Sequence, residues 1–491
     1  MTGAQGEALA VYRRLPWVGH VPPPGVLEKS LTVVVLLLFC EALLSRVWGS
    51  DPMQTVVTEA PWLRYTWYPA YLFALAGLAL VWQPALAAVI RAPVLIALPL
   101  LAFLSAGWSV SPEVSERRAI ALTMTIGFGV YLAARYRWRT LLQLLGITWA
   151  ILAVGSLISV LVSPSFGIMS EIHPGAWRGL WWEKNTLGGH MARGGFLFAC
   201  LALIDPERRK VWIGFCVLAV FLVLMSTSKT SLLGLLLGFA LLIAWVIVRQ
   251  GPRLAGLLVW GGLLVGGTSA FILLFAPELV FEVLGRDATL TGRTDIWVAL
   301  DRKIADQPQL GFGYAAFWGE FSPPAIEVRE ETEWPVPTAH NGWLEIVLAL
   351  GFVGLALFAL DYMIALTRAT LRALRPEGLF ALGWLMQMLL FSLSESVFLL
   401  QNNILTVTWA TLSAKLALAG VRVAARKATS VVTDLAHLDT PGRLAGAHTI
   451  EALPKRRKEQ HLADPLHRPV EPVRPGRVAD QPQPRRHGGK R

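Results

Sequence analysis

Charge is what this chain has least of. Only 16% of its 491 residues are Asp, Glu, Lys or Arg, against about 25% in soluble domains, and that shortfall excludes an ordinary water-soluble protein. Cysteine is nearly absent. Cys40, Cys200 and Cys216 all fall inside apolar runs, which leaves no disulfide framework and no metal-ligand spacing; each reads as a small core hydrophobe. The period-two alternation of a β-barrel is missing, so the helix remains as the way to satisfy backbone polar groups in lipid. No small-residue cleavage site follows the first apolar run, near residue 31, and that run reads as a retained anchor rather than a secretory leader.

Apolar length is what the chain has. It is 54% hydrophobic with a mean hydropathy of +0.52, and about 20 apolar residues suffice for one helical crossing. Twelve stretches qualify: 29–47, 66–88, 93–109, 118–134, 140–163, 187–204, 210–227, 231–249, 255–276, 343–366, 379–400 and 402–420. The expected fold is an all-α integral membrane protein of about twelve transmembrane helices. Residues 1–28 form an N-terminal segment, 29–420 the membrane domain and 421–491 a tail. Lys and Arg sit at alternate joints, among them Arg13, Arg14 and Lys29, Arg135, Arg137 and Arg139, and Arg368, Arg372 and Arg375. The positive-inside bias then predicts that both termini are cytoplasmic. Segment 277–342, between spans nine and ten, becomes a large extracytoplasmic loop with five basic and eleven acidic residues.

The net charge of +11 does not point to nucleic acid, because the tail concentrates fifteen basic residues against seven acidic ones. Rich in proline and poor in aromatics, it reads as a disordered, solvated cytoplasmic segment, suited to resting on anionic membrane lipid.

Ionisable groups at membrane depth are costly, so each needs a reason. Five elements on the expected outer side are basic: SPEVSERRA (111–119), RGLWWEKNTLGGHMARGG (178–195), STSKTS (226–231), Arg293 in LTGRTDIW and His340 in PTAHNGW. Such a gathering suits an anionic ligand, phosphate first. Snorkelling accounts for Arg117 or Arg118. Asn185 or Thr186 can cap the helix that follows Lys184, whose N-terminus already attracts anions. Thr294 can cap a helix with Ile296, Trp297, Leu300 and Ile304 on one face, and Arg293 at its start is unfavourable unless an anion lies beside it. His340 precedes a helix N-terminus, which favours the neutral imidazole of a general base. Asn341 adjoins it, and Glu345, one turn in, is placed to orient His340 or a substrate hydroxyl. Glu320 precedes, and Glu330, Glu331 and Glu333 lie within, a stretch, 322–337, that reads as a mobile loop.

The ordered set LSAGWSVSPEVSERRA (104–119), GLWWEKNTLG (179–188), STSKTSLLG (226–234), TGRTDIW (291–297), GFGYAAFW (311–318) and AHNGWLEIVLALGFVGL (339–355) resembles the O-antigen ligase/polymerase superfamily. This superfamily takes in O-antigen ligases, Wzy-type polymerases and exopolysaccharide-production polymerases, and the Lys-Asn-x-Leu-Gly element is most like the last branch. The resemblance implies a GT-C-like glycosyltransferase of the bacterial inner membrane, with its active site facing the periplasm. It implies an undecaprenyl-pyrophosphate-linked glycan as donor and an acceptor that is a second repeat unit (polymerase) or lipid A core (ligase). By motif, Arg293 and Lys229 would hold the pyrophosphate, with Lys184 as an added cation, and His340 would be the base; Asn185, Asn341 and Glu345 would line the substrate. Lys229 departs from the arginine usual in ligases and lacks its bidentate geometry. A chain-length or export partner is compatible with this reading. No cofactor is expected. The outer loops hold no Asp-x-Asp and no histidine cluster, so two fixed cations would stand in for a metal. A flippase would also have twelve spans, but no internal repeat relates the two halves.

Overall fold

The computed structural model describes residues 22–42, 65–170, 173–258, 260–262, 264 and 293–419. The chain divides into two units, Met1–Thr429 and Ser430–Arg491, and every described residue lies in the first. The tail, the N-terminal 21 residues, much of the expected span at 255–276 and the first part of the large loop lie outside the described residues.

Among the described residues there is no strand, only an isolated bridge between Ile168 and Trp177. The helices in chain order are α1 (Val26–Phe39), α2 (Tyr68–Leu80), α3 (Trp82–Arg91), α4 (Val94–Leu104), α5 (Pro112–Arg135) and α6 (Trp138–Val162). They continue as α7 (Lys184–Ile204), α8 (Arg209–Met225), α9 (Lys229–Val248), α10 (Arg293–Asp306), α11 (Pro323–Glu331), α12 (Gly342–Thr370), α13 (Pro376–Ser392) and α14 (Ile404–Ala419). Twelve crossings were the expectation. By length and apolarity, α6, α7, α9 and α12 qualify among the described residues, and a fifth is added if the bent pair α2–α3 is one span. Leu161 and Val162 on α6, and Leu233, Leu236 and Ile243 on α9, turn large apolar side chains outward. A surface of that kind is built for hydrocarbon rather than water.

Three expected spans are not continuous helices. The stretch 66–88 bends by 93° between α2 and α3. Pro84 lies there, with no N–H for the carbonyl four residues back and a ring that clashes with it. The stretch 343–366 breaks at Gly351, where φ is +64° and ψ −169°, a conformation open essentially to glycine alone. The break is filled by the loop before it: Phe352 N–H donates to Pro308 O at 2.8 Å and Phe312 N–H to Leu348 O at 2.8 Å. In 379–400 the helix stops at Ser392, and Ser394, Glu395 and Ser396 turn to other elements.

Helix α7 is the central member, packed against α6, α8, α9 and α13. Its glycines let neighbours come close: a Cβ on Gly188 would stand 2.5 Å from Ser231 Oγ on α9. A second apolar core lies beside the bundle, where Ile296, Leu300 and Ile304 of α10 meet Ala325 and Val328 of α11, Phe312, Phe317, and Val347 and Leu348 of α12. The face foreseen for α10 is the face it buries. The stretch 322–337, expected as a mobile loop, instead holds α11, with Ala325 and Val328 fully buried. Those two apolar positions lie three apart, one helical turn, and that spacing gives the segment a face to bury.

Candidate active site

The site is assembled around the backbone of one residue, Ala339. Ala339 N–H donates to Glu345 Oε1 at 2.6 Å, and Ala339 C=O accepts from Trp297 Nε1 of α10 at 2.9 Å. Clamped on both sides, Ala339 fixes the next residue, His340, whose φ is +48°. A non-glycine residue holds such a backbone only when its surroundings over-determine it. The imidazole lies parallel to the Trp334 indole, with centroids 5.9 Å apart and planes at 4°. Burial, and then the positive charge of Arg293, push its pKa from 6.5 down to about 4. At neutral pH the ring is uncharged, as a general base requires, and the cause is desolvation and a cation rather than the helix end.

Arg293 opens α10. Its Nη1 donates to Ser394 O at 2.8 Å and its Nη2 lies 3.8 Å from Glu395 Oε1. Glu183, exposed at its edge, lies within electrostatic reach of both Arg293 and Lys184, and desolvation by its surroundings raises its pKa against them. Lys184 is in turn within reach of Lys229, because Gly188 draws α7 against the start of α9. Ionisable neighbours therefore run Lys229, Lys184, Glu183, Arg293 and the neutral His340, all at one end of the bundle. The structure brings the four basic residues named from sequence to one place and threads a carboxylate between them.

The two asparagines have local work. Asn341 is the N-cap of α12: its Oδ1 accepts from Trp343 N–H at 2.9 Å and Leu344 N–H at 3.3 Å. The cap of α7 is Glu183, with no side-chain capping bond, so Asn185 and Thr186 stand inside the first turn rather than before it. Asn185 Nδ2 donates to Glu183 Oε1 at 2.8 Å.

Glu345 is the hub. Besides Ala339, its carboxylate accepts from Trp318 Nε1 at 3.0 Å and Ser396 Oγ at 3.0 Å. Among the described residues it makes no hydrogen bond to the imidazole, so it orients His340 through the backbone. The GFGYAAFW loop that ends in Trp318 is held from its other side by the 104–119 motif. Trp108 Nε1 donates to Leu310 O at 3.1 Å, Ser115 Oγ to Tyr314 O at 3.0 Å and Arg118 Nη1 to Ala315 O at 2.7 Å. Arg118, expected to snorkel, is a tether.

Glu345→Gln keeps shape but removes charge and one acceptor. Hydrogen bonds to a charged group contribute roughly 1.5–3 kcal/mol, so unfolding by heat in detergent should shift down measurably. Activity should fall more than stability does, since His340 loses its register. An unchanged activity with a lowered melting point would confine Glu345 to structure.

Sequence reasoning gave no role to Glu183, Trp334 or Glu395, which stand beside the named residues; Glu183 lies inside GLWWEKNTLG and Trp334 inside 322–337, while Glu395 lies in the expected span 379–400. It also gave no role to Arg193, which is 4% exposed on α7 with its Cζ 4.7 Å from the centre of the Phe391 ring. Among the described residues no three His, Cys, Asp or Glu side chains gather as a metal site would need.

An apolar helical bundle with cations and a neutral histidine gathered at one end defines an integral membrane protein. Residues 214–359 match the O-antigen ligase family, a stretch that includes Lys229, Arg293, His340, Asn341 and Glu345 but not Lys184 or Asn185. The chain is 27% identical to the exopolysaccharide production protein ExoQ of Rhizobium meliloti over 270 residues, 52% of this chain and 59% of that protein. It is 30% identical to a putative polysaccharide ligase of Rickettsia bellii over 149 residues, 29% of this chain and 36% of that protein. The matches thus span less than two thirds of either relative. Over those stretches the chain is similar to the O-antigen ligase family and to an exopolysaccharide production protein.

Proposed function

We propose that this protein transfers a glycan from undecaprenyl pyrophosphate to a sugar hydroxyl and so polymerises polysaccharide repeat units. The observation that carries the reading is the rigid pairing of a neutral His340 with Arg293 through Ala339 and Trp297. His340 takes the proton of the acceptor hydroxyl. The hydroxyl oxygen attacks the anomeric carbon while the bond from that carbon to the pyrophosphate oxygen breaks, with inversion. Arg293, Lys229 and Lys184 stabilise the negative charge that develops on the leaving pyrophosphate, and Arg293 turns from Ser394 and Glu395 towards it. Three fixed cations supply what a divalent metal supplies elsewhere, so the reaction is metal-independent. In this reading the site faces the periplasm from the inner membrane and both termini are cytoplasmic. A chain-length or export protein would act on the product.

The test is reconstitution of the purified chain with one undecaprenyl-pyrophosphate-linked repeat unit in EDTA. A ladder of longer lipid-linked glycans supports a metal-independent polymerase. Transfer only after lipid A core is added makes it a ligase, and no product with either acceptor removes the transferase reading.

The pH profile carries a further expectation. The free protein's base has a pKa of about 4, so kcat/KM should stay level down to pH ~5 and fall only near 4. A bound pyrophosphate offsets the Arg293 charge, so the acid limb of kcat should lie higher, towards 6.5. An acid limb of kcat/KM at 6.5 would mean the imidazole is not held as described.

A further inference from the structure

Beside His340 the outer segment holds an open recess of about 430 Å³, lined by Glu320, Ile326, Arg329, Glu330, Glu333 and Trp334. Nothing in the mechanism above uses it. We propose that this recess is the acceptor subsite and that it takes an uncharged pyranose at the growing end of the glycan. The inference rests on the transferase reading for the word acceptor, and on the recess alone for the ligand chemistry.

The first argument is the floor. Trp334 is 39% exposed, large for an indole, and it serves two neighbours. It lies parallel to the His340 ring and also lines the recess. A sugar laid on an aromatic plane buries its C–H face and keeps its hydroxyls at the rim. On Trp334 it would be one ring away from the imidazole, which leaves the next sugar of the same acceptor to bring its hydroxyl within hydrogen-bond reach of His340.

The second argument is the rim. Three of the five N–H groups of Arg329 are committed: Nε donates to Val336 O at 3.2 Å, Nη1 to Gly319 O at 3.3 Å and Nη2 to Trp318 O at 3.0 Å. Arg329 thus shapes the wall by tying α11 to the loop. What remains for a ligand are two Arg329 N–H groups and the exposed side chains of Glu320, Glu330 and Glu333, three carboxylates that only accept hydrogen bonds when ionised and that outnumber the one guanidinium. Hydroxyl groups of a neutral sugar donate to such a rim, while a uronate or sulfated sugar would meet like charge. The arrangement is the reverse of the cation row that faces the donor. Charge therefore sorts the two substrates: pyrophosphate to Arg293, Lys184 and Lys229, neutral sugar to the recess.

The experiment reads binding without turnover. The full chain in nanodiscs is titrated with neutral tetrasaccharides built on glucose, galactose or N-acetylglucosamine, and with tetragalacturonate, by saturation-transfer NMR and calorimetry. At least one neutral tetrasaccharide should bind, and tetragalacturonate should not. Trp334→Ala should weaken binding by roughly tenfold, the 1.4 kcal/mol of a lost ring contact. Trp334→Phe, which keeps a stacking ring beside His340, should lose less. E330Q/E333Q should weaken the neutral ligand and admit tetragalacturonate, and His340→Ala should bind as the parent does. Absence of neutral binding, or affinity unchanged in both Trp334→Ala and E330Q/E333Q, overturns the subsite. A ladder assay in parallel separates the two claims. Binding at Trp334 with no ladder overturns only the transferase reading, and a normal ladder with unchanged acceptor KM in Trp334→Ala overturns only the recess.

Discussion

Glycan transfer should fall by roughly two to four orders of magnitude in His340→Ala, the usual worth of a positioned general base, while the protein stays folded. The loss is chemical because the clamp survives: Ala339 remains bonded to Glu345 and to Trp297 through backbone atoms, which the substitution leaves in place. Donor binding should survive as well, since the cations sit on α7, α9 and α10. Two other histidines serve as controls. His190 is buried and stacked on Trp181 with centroids 4.7 Å apart, and His173 lies within reach of Lys184 rather than Arg293. His173→Ala should leave the order of magnitude of transfer unchanged. Added imidazole should restore part of the His340→Ala loss, because the removed ring opens space against Trp334. If His340→Ala retains a tenth of the parent rate, the base is elsewhere.

Gly351→Ala is expected to be the most damaging single methyl in the described part of the chain. Alanine would have to adopt φ +64° and ψ −169°, which costs roughly 1–3 kcal/mol by itself. Its Cβ would also stand 2.0 Å from Gln309 O and 2.4 Å from Leu310 N, both backbone, so the segment filling the helix break must leave. That segment cannot move alone. Gly311 is seated against Leu348 O and Gly351 N, and the loop it begins carries Trp318 to Glu345. Stability should fall by roughly 3 kcal/mol or more once displaced packing is added to the strain, and transfer should fall with it. Gly214→Ala is the control: on α8, a Cβ there meets nothing within 4 Å, and the higher helix propensity of alanine should make it neutral or slightly stabilising. Equal melting points for the two variants would show that the break at Gly351 is not a fixed feature.

The helices of the bundle were legible because lipid removes the alternatives: a long apolar run has to be helical there. The breaks were less so. Pro84 announces its bend, whereas Gly351 is one glycine in an apolar run, and only the arrival of Gln309–Phe312 shows why it must be glycine. The segment 322–337 misled because its charge suggested a loop, while two apolar residues, Ala325 and Val328, sufficed to seat α11 on α10. In the site, residue types pointed to the cations, to His340 and to Glu345, since a charge near lipid demands a reason. Their wiring was hidden. Glu345 accepts from a backbone N–H six residues earlier rather than from the imidazole, and Trp334 lies flat against the His340 ring.

The sequence by itself determined an apolar, largely helical chain, because composition and the cost of unsatisfied backbone in lipid are properties of the chain, and it proposed His340, Arg293, Lys184 and Lys229 as one set. Only the tertiary structure decided how the set is wired. It put Glu183 among the cations, gave Asn341 to a helix cap and Arg118 to a loop, and lowered the His340 pKa by burial and then by the Arg293 charge. Those outcomes depend on distances between segments far apart in the chain, and distance is what fixes both a hydrogen bond and a Coulomb field.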